Sequence, residues 1–250
     1  MPIRGVVFDL GHTLMHLDGT WLKMFERGGA ELASFIDGQR LGVDGRAFAQ
    51  ALLARRSEGL AQARETMREV TAESSMRWTL AQFGLPDPAP SLVEGALQAF
   101  FAYEDAHWWV DPAAHAVLQT LADRGLRLGM FSNATDDAFI QHLVDRLGLR
   151  PWLEPALSSA GTGIRKPDPL AFTPFFEAWN LPPTSVVMVG DTLGADVLGA
   201  QRAGMYSVWL PSREDARQEG SGSGAEAQSP SIAPDLVIDR LADLPERLRP

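Results

Sequence analysis

Along the chain, short runs of apolar residues alternate with stretches in which apolar positions recur every three to four residues. The first run, Ile3 to Phe8, is rich in β-branched residues and ends at Asp9 with Gly11 just beyond, the pattern of a buried strand stopping at a turn. Leu126 to Phe131 ends in the same way at Ser132-Asn133, Ser185 to Val189 at Gly190-Asp191 and Tyr206 to Leu210 at Pro211; Leu236 to Ile238 is a last, shorter run. Helical spacing fills Ala113 to Arg124, Asp136 to Leu147, Leu170 to Trp179 and Ala195 to Ala203, with Gly125 and Gly204 placed as C-terminal caps. Strands alternating with helices predict an α/β fold, a doubly wound Rossmann-like parallel sheet covered on both faces. Polar residues just past the strand ends put a site at its carboxyl edge.

Between about Leu17 and Glu104 the strand-like runs vanish, and helical patterns such as Phe48 to Leu60 and Glu65 to Phe83 take over. The chain therefore reads as a core of residues 1–16 and 105–250 with a helical domain, 17–104, inserted after the first strand and returning before Pro112. Both connections then emerge beside the proposed site. Residues 212–234 are rich in Gly, Ser, Ala and Glu and nearly free of large apolar side chains. Such a segment cannot offset its ordering entropy, so a mobile loop within the core is expected.

The 250 residues are 45% hydrophobic and 22% charged, enough to bury one large core and a smaller second one. The absence of cysteine removes disulfides, thiolate metal sites and cysteine nucleophiles, and leaves carboxylate, carbonyl and imidazole as metal donors. Lys plus Arg number 22 against 32 Asp plus Glu; the net charge of −10 disfavours nucleic acid and anionic membranes and points to a small-molecule partner. No stretch approaches the roughly 18 consecutive apolar residues of a membrane span. MPIRGVVFDL turns charged too early for a secretory core, so a cytoplasmic location is expected, while the oligomeric state stays open.

Four polar signals follow successive strand ends: Asp9-Leu10-Gly11-His12-Thr13, Ser132-Asn133, Arg165-Lys166-Pro167-Asp168-Pro169, and Gly190-Asp191-Thr192-Leu193-Gly194-Ala195-Asp196. Singly, each has a plain structural reading: Asp9 and Asp191 cap turns, Asp196 caps a helix, Ser132 closes a turn and Lys166 is a surface cation. Lys166 stands out because Lys23 is the only other lysine beside twenty arginines. In this order and spacing the signals resemble those of the haloacid dehalogenase-like hydrolases, most of which are phosphatases, and the insert is similar to that family's α-helical cap.

Phosphoryl transfer to a carboxylate needs an in-line nucleophile, cations at the equatorial oxygens and donors for the phosphoryl group. Asp9 is the candidate nucleophile, forming an aspartyl-phosphate. Mg²⁺ is the expected cofactor, held by Asp9, the Gly11 carbonyl, Asp191 and, directly or through water, Asp196. Ser132, the Asn133 backbone N–H and Thr13 are expected to hold phosphate oxygens while Lys166 neutralises them. The expected substrate is a small phosphorylated metabolite.

Phosphatases of the resembled family carry a second aspartate two residues after the nucleophile, which protonates the leaving group and later activates water. Here that residue is Gly11, and His12 stands where a glycine is usual. General acid–base catalysis contributes roughly 10²–10⁴-fold, so His12, an imidazole that titrates near neutral pH, is the candidate substitute acid. The alternative is a weak or inactive relative that keeps the site for binding a ligand or partner. Phosphonoacetaldehyde hydrolases also lack that aspartate and use a cap lysine, but Lys23, the only lysine of the insert, lies at its very start. Haloacid dehalogenases lack it too, and Arg40 resembles their cap arginine, yet they lack the Asp191 and Asp196 pair and Leu193 takes the place of an expected amide. Trp21, Lys23, Trp108 and Trp109 flank the two connections, either lining the entrance or packing the hinge. Arg55 and Arg56 face an anionic substrate or solvent.

Overall fold

The structure, a computed structural model, describes residues 2–211 and 232–248. Most of the segment expected to be a mobile loop therefore lies outside the described residues. In chain order the elements are β1 (Gly5–Phe8), β2 (Met15–Leu17), α1 (Trp21–Gly38), α2 (Gly45–Thr66), α3 (Ala72–Gln82), α4 (Pro90–Asp105), β3 (Trp108–Val110), α5 (Ala114–Asp123), β4 (Arg127–Ser132), α6 (Asp137–Arg146), β5 (Ala156–Ser158), α7 (Ser159–Thr162), α8 (Thr173–Trp179), β6 (Val186–Gly190), α9 (Leu198–Ala203), β7 (Tyr206–Trp209) and β8 (Leu236–Val237).

Six strands form one parallel sheet in the order β5-β4-β1-β6-β7-β8. β1 is central, with Phe8 in register with Met130 on one side and Val189 on the other, so the tips of β1, β4 and β6 lie side by side. Connections run to one side of β1 and then jump to the other, which makes these tips the topological switch point. Alternation along β1 feeds both faces: Val6 and Phe8 join Leu118, Ile140 and Val189, while Val7 joins Phe131, Phe172 and Phe175. This matches the predicted doubly wound sheet.

Helices α1 to α4 fall between β2 and β3 and enclose their own core of Leu32, Ile36, Phe48, Leu52, Met76, Leu80 and Phe100. Thr20, Asp44 and Thr71 cap the first three through side-chain oxygens. Phe101 of α4 stacks on Phe139 of α6 with ring centroids 4.6 Å apart, joining the insert to the sheet's own helices. Among the described residues, no helix is long and apolar enough to cross a membrane.

Three local differences from the sequence pattern have physical causes. β2 and β3 form a two-stranded antiparallel ribbon, Met15 opposite Val110 and Leu17 opposite Trp108, at the root of the insert. The helix expected over Glu65 to Phe83 is broken: Met67 takes a left-handed φ of 55°, and residues 67–72 bond to the core instead, through Arg165 N–H to the Met67 carbonyl, Glu69 N–H to Gly163 and Ala72 N–H to Thr135. The helix expected from Ala195 starts earlier, as a π-helical turn over Leu193–Val197 that leads into α9. Such turns concentrate at functional sites.

Candidate active site

Asp9 follows β1, and its N–H donates to the Val189 carbonyl at 2.8 Å, which fixes it between the two neighbouring strand tips. Lys166 reaches it from the segment after α7: Nζ donates to Asp9 Oδ1 at 2.6 Å and to the Phe131 carbonyl at 2.7 Å, and it pairs with Asp196 Oδ1 at 2.7 Å. These three contacts use every hydrogen of the ammonium, whose side chain is 1% exposed. The surface-cation reading of Lys166 is thereby excluded.

Asp196 is buried in the π-helical turn, and its Oδ2 accepts the Thr192 N–H at 2.9 Å. A Cβ on Gly190 would lie 2.3 Å from the Asp196 carboxylate, so only glycine lets β6 end this close to it. Asp191 follows β6 and accepts from Thr192 Oγ1 at 3.1 Å, while Trp209 Nε1 holds its carbonyl at 2.7 Å. Asp9, Asp191 and Asp196 each offer a carboxylate oxygen within 4.8 Å of the others. Burial pushes the Asp9 carboxyl up to about 6 against the pull of Lys166, with Asp196 adding to the rise. Burial works against the Lys166 ammonium too, but Asp196 and Asp9 together hold it above its ordinary value.

Ser132 is buried at the end of β4. Asn133 does more than supply an N–H: its Oδ1 accepts the Lys166 N–H and its Nδ2 donates to the Lys166 carbonyl, both at 2.9 Å, so its side chain locks the backbone that carries the lysine. Thr13 is fully buried, and its Oγ1 has no hydrogen-bond partner.

Gly11 lies under Trp108, and an added Cβ would meet that ring at 3.4 Å, an ordinary contact. Packing therefore does not demand glycine there. His12 adopts φ 60°, a left-handed backbone that costs a non-glycine residue about 1–2 kcal/mol. Its ring is 5.8 Å from Trp108 and 6.4 Å from His16, which itself bonds Asp111 at 2.8 Å. Trp108 is buried, whereas Trp21 is 44% and Trp109 46% exposed, so hinge packing describes the first and an outer rim the other two. Lys23 is exposed, 5.9 Å from the Tyr103 ring, and Arg40 is exposed beyond α1.

Three residues carry more than the sequence disclosed. Arg56 turns inward: Nη2 donates to Thr135 Oγ1 at 3.1 Å, the guanidinium stacks on Phe100 and Phe101, and Nε and Nη1 are buried without partners. Glu104 accepts from Trp108 Nε1 at 3.0 Å, and burial holds its carboxyl above the ordinary range against that bond and Arg56. Glu69, with no exposed side-chain surface, pairs with Arg165. Only the adjacent Arg55-Arg56 pair had any signal in the sequence; lone glutamates in helical stretches have none.

A strand-tip carboxylate held by a buried lysine, with two more aspartates just past the neighbouring strand, is the centre this doubly wound sheet builds at its switch point. The chain belongs to the haloacid dehalogenase-like hydrolases, whose family model matches residues 3–204. It is 29% identical over 163 residues to a glyceraldehyde 3-phosphate phosphatase of Methanopyrus kandleri, covering 65% of this chain and 66% of that one. It is 32% identical over 161 residues to a phosphoserine phosphatase of Thermus thermophilus, covering 64% and 58%. The chain thus spans less than two thirds of the length of these phosphatases. At 25% identity it matches all of this chain and 98% of the haloacid dehalogenase-like hydrolase domain-containing protein 3 of Danio rerio. Among solved structures it is similar to a 2-haloacid dehalogenase from Pseudomonas syringae, with TM-score 0.67, 26% identity and 98% of each chain covered. A HAD phosphatase from Thermococcus onnurineus shares the fold at TM-score 0.60 and 19% identity, again over 98% of each chain.

Proposed function

We propose that this protein is an Mg²⁺-dependent phosphohydrolase that acts on a small phosphorylated metabolite through an aspartyl-phosphate on Asp9, with residues 17–104 acting as a cap over the site. The observation that carries this is the grouping of Asp9, Asp191 and Asp196 around a single buried ammonium. Three carboxylates against one lysine leave two negative charges in a buried site, which suits a divalent cation with hard oxygen ligands. Asp196 Oδ1 meets Lys166 Nζ at 2.7 Å and has no other hydrogen-bond partner, so a lone pair remains for a cation or its water. The relatives named as phosphatases support the phosphatase reading.

Mg²⁺ would be held by Asp9, Asp191, the Gly11 carbonyl and Asp196, directly or through water, and would neutralise phosphoryl oxygens. Asp9 attacks phosphorus as the ester P–O bond breaks; Ser132 and the Asn133 N–H hold the equatorial oxygens while Lys166 balances their charge. The leaving oxygen takes its proton from His12. Water then attacks phosphorus, releasing inorganic phosphate and the Asp9 carboxylate, with its proton returning to the imidazole. The test is turnover of a panel of phosphorylated metabolites and an aryl phosphate, with and without Mg²⁺. Silence on all of them, with phosphate still bound, would favour the binding-protein reading.

Two consequences follow for His12 and for the metal. His12→Gly relieves a left-handed backbone, so its melting midpoint is expected to equal or exceed the wild type's, while hydrolysis of alkyl phosphates slows far more than that of aryl phosphates, which need no protonation. Equal losses on both substrates would count against His12 as the acid. Asp9, Glu104 and Asp136 all sit above the ordinary carboxylate range, chiefly through burial. Each favours its protonated form on folding, so this contribution is complete below the unfolded pKa and is lost as pH rises, through about 6 for Asp9. Metal-free protein is therefore expected to melt lower at about pH 7.5 than at about pH 5, with Mg²⁺ restoring stability mainly at the higher pH. A midpoint that climbs with pH in the absence of metal would contradict this.

A further inference from the structure

We infer that Glu69, a residue of the helical insert, is a positioning residue through which the insert sets both loops that handle phosphate; this rests on the phosphohydrolase reading. The segment after α2 leaves helical geometry at Met67 and lies against the core strand-like residues 163–165, where Arg68 and Ile164 form an isolated bridge. Glu69 N–H donates to the Gly163 carbonyl at 3.0 Å, and Arg165 N–H donates to Met67 at 3.1 Å. From this seat the buried Glu69 carboxylate works in two directions.

In one direction it pairs with Arg165, the residue before Lys166. In the other it accepts the Ser159 hydroxyl, whose oxygen accepts the Ala134 N–H at 2.9 Å, and Ala134 follows Ser132 and Asn133. The two directions meet again at Asn133, which grips the Lys166 backbone on both sides. One carboxylate thus braces a closed ring of contacts: Glu69, Arg165, Lys166, Asn133, Ala134 and Ser159. Ala72 N–H, donating to the Thr135 carbonyl at 2.7 Å, adds a second tie to the same loop. A charge shared between two loops transmits any displacement of the insert to both. Misplacement on the scale of an ångström is enough to cost about 10²-fold in rate.

A brace that serves stability alone would have the same contacts, so the test separates the two roles. Glu69→Gln keeps the shape and the acceptor for Ser159 but removes the charge on Arg165; Ser159→Ala cuts the other arm and leaves the ion pair. In the full-length chain with Mg²⁺, both variants are expected to retain a cooperative melt. Each should lower kcat on an aryl phosphate by roughly 10- to 100-fold and weaken inorganic phosphate binding measured by calorimetry. Glu69→Ala with Ser159→Ala should be no worse than Glu69→Ala alone, because both arms depend on one carboxylate. A lower melting midpoint with unchanged kcat and phosphate affinity, or additive losses in the double variant, would overturn the positioning role. If Glu69→Ala does not fold, Glu69→Gln and Ser159→Ala decide the question. A wild type that neither turns over the aryl phosphate nor binds phosphate would instead overturn the phosphohydrolase reading, and this inference with it.

Discussion

Asp9→Asn is expected to abolish turnover, with kcat on an aryl phosphate falling by at least about 10⁴-fold, as loss of a covalent nucleophile does elsewhere. The amide is nearly the same size and can still accept from Lys166 Nζ, now at 2.6 Å from Asp9 Oδ1, so the fold is expected to survive. Burial already disfavours the Asp9 charge strongly enough to lift its pKa to about 6. Replacing a carboxylate that is costly to ionise with a neutral group removes that cost and part of the pairing with Lys166 together, which leaves stability little changed. Steady-state turnover and thermal denaturation on the same preparation check both halves. Residual activity equal to the wild type's would show that the observed hydrolysis does not pass through this carboxylate.

Lys166→Met is expected to damage stability and activity together. Methionine matches the length of lysine but leaves the Asp9 and Asp196 carboxylates and the Phe131 carbonyl without their shared donor. Removing one member of a buried charge group costs about 3–5 kcal/mol, and each kcal/mol lowers the melting midpoint of a chain of this size by roughly 2–4 °C. The expected drop without metal is therefore roughly 6–20 °C. Lys166 is also the main influence holding the Asp9 pKa down. Without it that pKa rises further, so the acid limb of the rate profile should move to higher pH along with the loss in kcat. A variant with the wild-type midpoint and an unmoved acid limb would mean that the lysine is not the counter-charge of Asp9.

Much of this site was legible because its residues follow apolar runs. Asp9, Ser132 and Asp191 stand at the ends of β1, β4 and β6, and a parallel sheet in register must bring such positions together. Other parts had no pattern to read. β5 is three residues long, and β2 and β3 earn their strand character only by pairing with each other across the insert. The break between α2 and α3 is dictated by bonds to Gly163, Arg165 and Thr135, partners whose proximity is set by the fold. Asn133 was legible as a candidate donor to phosphate, but its side-chain grip on the Lys166 backbone spans 33 positions and leaves no trace in local spacing. Glu69 and Arg165 lie 96 positions apart, and no single-chain periodicity joins them.

The most direct measurement follows from Gly11. With Gly11 in place of the second aspartate, attack of water on the aspartyl-phosphate relies on His12 alone and is expected to be the slow step, so the phosphoryl group should accumulate on the enzyme. Wild-type protein mixed with an aryl phosphate and Mg²⁺, quenched in acid within the first turnover and examined by mass spectrometry, is expected to show a burst of aryl alcohol and one added phosphoryl group on the peptide that holds Asp9. Turnover with no such adduct at any quench time, or an adduct that persists in Asp9→Asn, would contradict an aspartyl-phosphate at Asp9.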